Sequence, residues 1–212
     1  MHRPPPQWNL LMEKTDFILI GASGHARVVM SVLEALQQNV LAVFDSNPEI
    51  KALDTIPNEV EYRADAHEKA KAIIAIGDNQ TRKKLALSLA HSLGQAIHPS
   101  AQCDRLCDVG LGTVVMHNAV IQRGSYIGQH CIINTKASVD HDCKIDDFVH
   151  IAPGATLCGN VRVGEGSLIG AGAIILPNIH IGKNVVVGAG AVVHKDIPDS
   201  ALIMGVPGKQ IN

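Results

Sequence analysis

From Ile97 onward the chain repeats itself every six residues. The series Ile97, Cys103, Val109, Val115, Ile121, Ile127, Ile133, Val139, Ile145, Ile151, Leu157, Val163, Ile169, Ile175, Ile181, Val187, Val193 holds Val, Ile or Leu at sixteen of seventeen places, without a phase slip. Four places after each stands a smaller residue (Ala101, Cys107, Thr113, Ala119, Ser125, Cys131, Ala137 and onward), with Ile179 the bulky exception. A period of six fits neither a helix nor a simple alternating strand and belongs to the β-helices. Each hexad reads as one flat face with its aliphatic residue inward. Gly, Asn and Asp gather between faces, where the chain must turn and left-handed backbone angles are common. With three hexads to a triangular coil, residues eighteen apart stack at the strand spacing of ~4.8 Å. The hexads then make a little over five coils.

Composition agrees with this reading. Only six of 212 residues are aromatic, whereas branched aliphatics and Gly are plentiful, which suits many short strands better than a helix bundle. A net charge of −2 gives no electrostatic footprint for nucleic acid or an anionic membrane. No apolar run approaches the ~20 residues that span a bilayer, and the Pro-rich start does not read as a secretory signal. Five cysteines without a Cys-x-x-Cys pair argue against a disulfide framework and a thiolate zinc site. A cytoplasmic protein is expected.

Residues 16–96 differ in pattern. Phe17–Ile20, Val40–Phe44 and Ala72–Ile76 read as buried strands, with helical spacing over Val28–Leu36 and a second helix from about Gln80 to Leu93. This alternation predicts a small parallel α/β sheet of Rossmann type. Gly21-Ala22-Ser23-Gly24-His25 is a glycine turn from strand to helix, able to set backbone N–H groups against a phosphate. Asp45 ends the second strand, where such folds often hold a ribose or base. Gly-x-Gly-x-x-Gly is absent, so a dinucleotide is not implied. The expected organisation is an extension over 1–15, an α/β domain over 16–96 and an all-β parallel β-helix over 97–212.

The stretch from Asn134 to Asp142 interrupts a bland prism with ionisable groups. His141 takes the third, outward place of its hexad, and eighteen residues later the same column holds Gly159. A histidine under a residue without a side chain leaves room for a narrow ligand arm such as pantetheine, and the Gly159 N–H could meet a thioester carbonyl. Acyl transfer to an amine or hydroxyl needs a base, a task that suits imidazole. Asp140 or Asp142 could fix its tautomer.

The hexads, followed by Ile203-Met204-Gly205-Val206-Pro207-Gly208-Lys209, resemble the hexapeptide-repeat acyltransferases, whose prisms are left-handed and trimeric. Together with the Gly21–His25 turn and Gly77-Asp78-Asn79-(x)2-Arg82, the chain is similar to one subgroup, the sialic acid O-acetyltransferases and bacillosamine-pathway N-acetyltransferases. That resemblance implies acetyl-CoA as donor, no metal, and a nucleotide-linked amino sugar (UDP-linked by preference, GDP-linked as the alternative) held by Gly21, Ser23, Gly24, His25, Asp45, Gly77, Asn79 and Arg82. It implies that Asn134, Asp140, His141 and Asp142 carry the base, Asp142 standing where relatives often have Glu. His150, Gly159, Gly170, Ala171, Gly188 and Pro207 would line the coenzyme path, and His25 of one subunit would approach the sugar. His150 also reads as a plain corner residue, and the remaining histidines, His98, His117, His130, His180 and His194 among them, as surface groups. Cys158 adjoins Gly159 but has no neighbouring base, so direct transfer is favoured over a covalent intermediate. O-acetylation of sialic acid, and a non-catalytic nucleotide-sugar sensor, are the rival readings. A zinc site is disfavoured because no His-(x)4-His occurs.

Overall fold

The computed structural model describes residues 14–211. Most of the extension expected at the N-terminus, residues 1–13, lies outside the described residues.

The first unit runs β1 (Asp16–Ile20), α1 (Gly24–Ala35), β2 (Asn39–Phe44), β3 (Ala52–Leu53), β4 (Ile56–Glu59), β5 (Lys71–Ile74) and α2 (Asn79–Ala86). Its sheet has the order β3-β4-β2-β1-β5, parallel except for the β3–β4 pair. β1 lies inside the sheet between β2 and β5 and is buried on both faces, which is why Phe17–Ile20 is a continuous apolar run. Strand order reverses at β1, with β2 on one side and β5 on the other, so a crevice forms beyond the carboxyl ends of β1 and β5. Gly21, at φ 112°, passes so close to β5 that a Cβ there would lie 2.8 Å from Ile76 and 2.9 Å from the Ala75 carbonyl.

Two expectations need correction. The hairpin β3–β4 has no counterpart in the sequence pattern; its strands are too short and polar to show a period. The second helix ends at Ala86 and does not reach Leu93. The chain beyond it is drawn to the sheet edge, where Ala72 N–H bonds Ser92 O at 2.8 Å and Gly94 N–H bonds Ala72 O at 3.0 Å. His91 helps to pin this return, bonded to Ala66 O (2.8 Å) and to the Tyr62 hydroxyl (2.6 Å). The helical spacing of Leu85, Leu89 and Leu93 therefore gives way to sheet-edge hydrogen bonds, leaving Leu87 exposed.

From Ala96–Ile97 to Val192–Val193 the chain is a prism of two-residue strands arranged in three parallel sheets. Strands inside the prism pair with those eighteen residues before and after them, as Val139 does with Ile121 and Leu157. Face 1 carries Ile132–Ile133 and His150–Ile151, face 2 Ser138–Val139 and Thr156–Leu157, and face 3 Lys144–Ile145 and Arg162–Val163. The aliphatic series and the smaller inward series together form one continuous core, with Val139, Ile145, Ile151 and Leu157 fully buried. Every sixth residue from Gly112 to Gly190 has a positive φ and turns a corner; most are Gly or Asn. The exceptions, His130, Lys136, Asp142 and Phe148, cluster in adjacent coils. The antiparallel pair Leu202–Met204 and Lys209–Ile211 closes face 1.

The α/β unit sits on the corner between faces 3 and 1. Arg82, on α2, is 1% exposed, and its guanidinium meets carbonyl or amide oxygens throughout. Nε donates to His130 O, Nη1 to Ile76 O and Gly77 O, and Nη2 to Asn79 Oδ1 and Phe148 O, at 2.7 to 3.2 Å. Asn79 Nδ2 in turn donates to Gly166 O and Ser167 O, both at 3.0 Å. His130 and Phe148 stack beneath at 5.0 Å, within 4° of parallel. His130 and His91 are thus buried groups, not the surface residues expected, because each lies where another segment packs over it.

Candidate active site

His141 stands at the corner between faces 2 and 3. Its Nδ1 lies 2.9 Å from Asp142 Oδ2, while Asp140 Oδ1 accepts from the His141 backbone N–H at 2.8 Å. Asp142 orients the ring, and Asp140 shapes the turn below it. Because Nδ1 is held by Asp142, Nε2 is the ring nitrogen without a partner among the described residues, and it faces Gly159. A Cβ on Gly159 would lie 2.5 Å from that nitrogen. The Gly159 N–H has no acceptor among the described residues. The ring is exposed, and its pKa is raised above 6.5 by the Asp142 hydrogen bond first and the Asp140 charge second.

Asn134, expected to act with His141, lies on face 1 and serves another histidine. Its Nδ2 donates to His150 Nε2 at 3.0 Å, and its Oδ1 accepts from Thr135 N–H at 2.8 Å. His150 Nε2 is therefore the acceptor, and the proton sits on Nδ1. The His25 ring of the α/β unit comes within 6.4 Å of His150. Both imidazoles are pushed down to about 4, by burial first and by the Arg82 charge next; for His150 the neighbouring His25 adds to this. Both are neutral near pH 7. Among the described residues His25 Nε2 is shut off from solvent and meets no hydrogen-bond partner.

The acid dependence of folding follows with a definite sign. Between pH 6.5 and 4 the unfolded chain binds protons that His25 and His150 refuse in the folded state, so stability falls as pH drops through this window. A depression of this size is worth on the order of 3 kcal/mol per group. Urea midpoints at pH 7 and pH 4.5 should show the loss, and a His25→Gln, His150→Gln double variant should show much less of it.

The glycine turn of the α/β unit leads directly into His25, the second residue of α1. Space around a Cβ at Gly24 or Gly77 is empty, and Ser23 precedes α1 without capping it by its side chain. Asp45 is differently occupied from what was expected. Its Oδ2 accepts from Ala22 N–H (2.8 Å) and its Oδ1 from Asn47 N–H (3.0 Å), so it ties the glycine turn to the end of β2. Asn79 and Arg82, also expected to hold substrate, are engaged in docking the two units and offer no free N–H of Arg82 to a ligand.

The residues expected along the coenzyme path divide between two corners. Gly159 stands with His141 between faces 2 and 3, whereas Gly170, Ala171 and Gly188 stand between faces 1 and 2. Pro207 lies in the turn of the closing hairpin, after a cis Val206–Pro207 bond. One chain does not bring these groups together. Among the described residues no three His, Cys, Asp or Glu side chains converge as a metal site. No helix there is long and apolar enough to cross a membrane.

Comparison with known proteins decides the family. Residues 16–89 match the PglD N-terminal domain model, and residues 160–195 the bacterial transferase hexapeptide (six repeats) model. A histidine variant of perosamine N-acetyltransferase from Caulobacter crescentus, solved with CoA and GDP-perosamine, is 38% identical. The match covers 93% of this chain and 97% of that one, with a TM-score of 0.90. The chain belongs to the hexapeptide-repeat sugar acyltransferases. The acetyltransferase domain of PglB from Neisseria gonorrhoeae is 36% identical over 93% of this chain and all of that domain, with a TM-score of 0.87. GDP-perosamine N-acetyltransferase of Escherichia coli O157:H7 is 31% identical over 105 residues, 45% of this chain and 48% of that protein. The match thus spans about half the length of that curated relative.

Within this family fold, Gly159 sets a sharp steric condition. Gly159→Ala places a methyl group against His141 Nε2, and the exposed ring must swing away. Gly159 needs no left-handed angle, so the melting temperature should stay within a degree or two. A reacting atom displaced by ~1 Å loses on the order of 10²-fold in rate; for a role of His141 Nε2 in the reaction, steady-state turnover of the variant should fall by at least ~10-fold.

Proposed function

We propose that this chain transfers an acetyl group from acetyl-CoA to the amine of a nucleoside-diphosphate-linked amino sugar, with His141 as general base. The observation that carries the reading is the pairing of His141 Nε2 with Gly159 while Asp142 holds Nδ1. As the sugar amine attacks the thioester carbonyl, its nitrogen gains a bond to carbon and gives its proton to His141 Nε2. The imidazolium so formed is stabilised by Asp142. The carbonyl oxygen, negative in the tetrahedral intermediate, is met by the unpartnered Gly159 N–H. Collapse breaks the C–S bond and releases CoA as its thiol once it takes up the proton.

The nucleotide-sugar reading is supported by the crevice at the ends of β1 and β5, where the uncapped N-terminus of α1 faces open space and suits a diphosphate. The relatives solved with GDP-perosamine make a GDP-linked amino sugar as strong a first substrate as the UDP-linked one expected from the sequence. We assign the working assembly as a homotrimer with sites between subunits. Support comes from the division between two corners of the residues expected to line the coenzyme path. It also comes from the exposed Ile174, Leu176, Val186, Leu202 and Met204, which flank a corner of Gly154, Gly172 and Gly190. With acetyl-CoA and a nucleotide sugar as its substrates, the reaction is assigned to the cytoplasm.

The test is thiol release from acetyl-CoA in the presence of GDP-perosamine, a UDP-linked 4-amino sugar, or free sialic acid. Turnover with either nucleotide sugar supports the reading and names the nucleobase. Turnover with sialic acid alone moves the function to O-acetylation. Binding of nucleotide sugar without any thiol release makes the protein a sensor.

A further inference from the structure

In nine of the prism's sixteen corners the inward residue closes a turn on itself by donating its N–H to the carbonyl three residues back. Ala119 bonds Met116 O, Ser125 bonds Gln122 O, Ala137 bonds Asn134 O and Ala155 bonds Ala152 O. In three corners a hydroxyl from the coil below stands inside that bond. Thr113 Oγ1 donates to Gly128 O and accepts from Cys131 N–H, at 2.8 and 2.9 Å. Ser167 Oγ does the same between Gly182 O and Val185 N–H, at 2.8 and 2.9 Å. Ser125 Oγ donates to Asp140 O at 2.7 Å and accepts from Cys143 N–H at 3.0 Å, and the turn it enters is the one that carries His141.

An inserted hydroxyl holds the turn's carbonyl and N–H farther apart than a direct bond would, so the turn is more open. Ser125 is 2% exposed, and no water competes for its bonds. One coil higher, the Cys143 thiol donates to Cys158 O at 3.3 Å, beneath the turn that carries Gly159. Above that level the same inward column holds Val161 and Ile179. The column is therefore polar under His141 and Gly159 and apolar beyond them. The inward column between faces 1 and 2, by contrast, is alanine throughout: Ala101, Ala119, Ala137, Ala155, Ala173 and Ala191.

We infer that Ser125 is a positioning residue: its hydroxyl, set into the Asp140–Cys143 turn, fixes how far that turn opens and so aims His141 at Gly159. The inference rests on His141 being the base. Without the hydroxyl, Cys143 N–H can bond Asp140 O directly, as Cys107 N–H bonds Asp104 O at 3.0 Å two coils below, and the turn closes. The His141–Asp142 pair lies within the turn and moves as one, so the ring keeps its orienting carboxylate but not its place.

Four variants of the full chain test this, each measured for melting temperature, kcat, KM for both substrates and pH profile. Ser125→Ala should lower kcat by ~10-fold or more, as a misplaced catalytic group does, with KM changed less than about twofold and the acid limb unmoved. Ser125→Thr, which keeps the hydroxyl in a slot type that already accepts Thr113, should recover most of kcat. Ser167→Ala removes the same bridge away from His141 and should lower the melting temperature as Ser125→Ala does while keeping kcat. If Ser125→Ala keeps wild-type kcat, or Ser125→Thr fails to restore it, while His141→Asn is inactive, the positioning role is wrong and the base assignment stands. If His141→Asn keeps more than about a tenth of wild-type kcat, the base assignment falls and the inference with it.

Discussion

His141→Ala is expected to lower kcat by ~10²–10⁴-fold, the range that general-base catalysis supplies, with the melting temperature unchanged. The side chain is exposed and its only bond among the described residues is to Asp142, so its removal leaves no buried group there unsatisfied. The pH profile gives the same assignment independently. A base works when neutral, and the Asp142 hydrogen bond and Asp140 charge favour the protonated ring. Activity should therefore rise with pH through a value above 6.5 and level off beyond it. Asp142→Asn removes the charge and weakens the bond that raises the pKa, so the limb should move to lower pH while the plateau rate falls. A limb that stays in place in that variant would show that another group titrates.

Arg82→Ala should cost about 3–5 kcal/mol of stability, among the largest single effects available in this chain. All its N–H groups bond to protein oxygens, and truncation strands the carbonyls of Ile76, His130 and Phe148 in a buried seam. Burial lowers the guanidinium pKa only to about 10, so the charge persists at neutral pH and strengthens each bond. Lysine is no substitute, because one ammonium cannot serve a planar fan of acceptors. A fall in melting temperature of ~10 °C or more is expected, together with loss of the His25–His150 approach and of nucleotide-sugar binding. Arg82→Lys measured alongside separates geometry from charge; a variant as stable as the wild type would mean that charge alone holds the seam.

The outcome at Arg82 illustrates where reading the sequence stops. Gly77-Asp78-Asn79-(x)2-Arg82 is legible as a segment beginning a helix beside the glycine turn, and Asp78 does cap α2 by accepting from Thr81 N–H at 2.8 Å. A motif tells which residues travel together, not what faces them. An arginine near a nucleotide crevice is expected to meet the substrate. In the folded chain Arg82 meets the carbonyls of corners 48 and 66 residues away. Asn134 diverges for the same reason. It sits seven residues from His141 in the chain but on another face, so its neighbour is His150, one coil along.

The prism was open to inspection because its order is local and repeated. A six-residue period of inward aliphatics and small partners can be satisfied by one architecture only, and the stacking of residues eighteen apart follows from it by counting. The outward place of His141 and the gap at Gly159 come from the same count. Tertiary structure alone decided the rest: the seating of the α/β unit on one corner, the burial that keeps His25 and His150 neutral, the early end of α2, and the hydroxyl of Ser125 inside the His141 turn. Each depends on groups brought together across coils or between units, where a hydrogen bond or a lost hydration shell has no period in the chain to announce it.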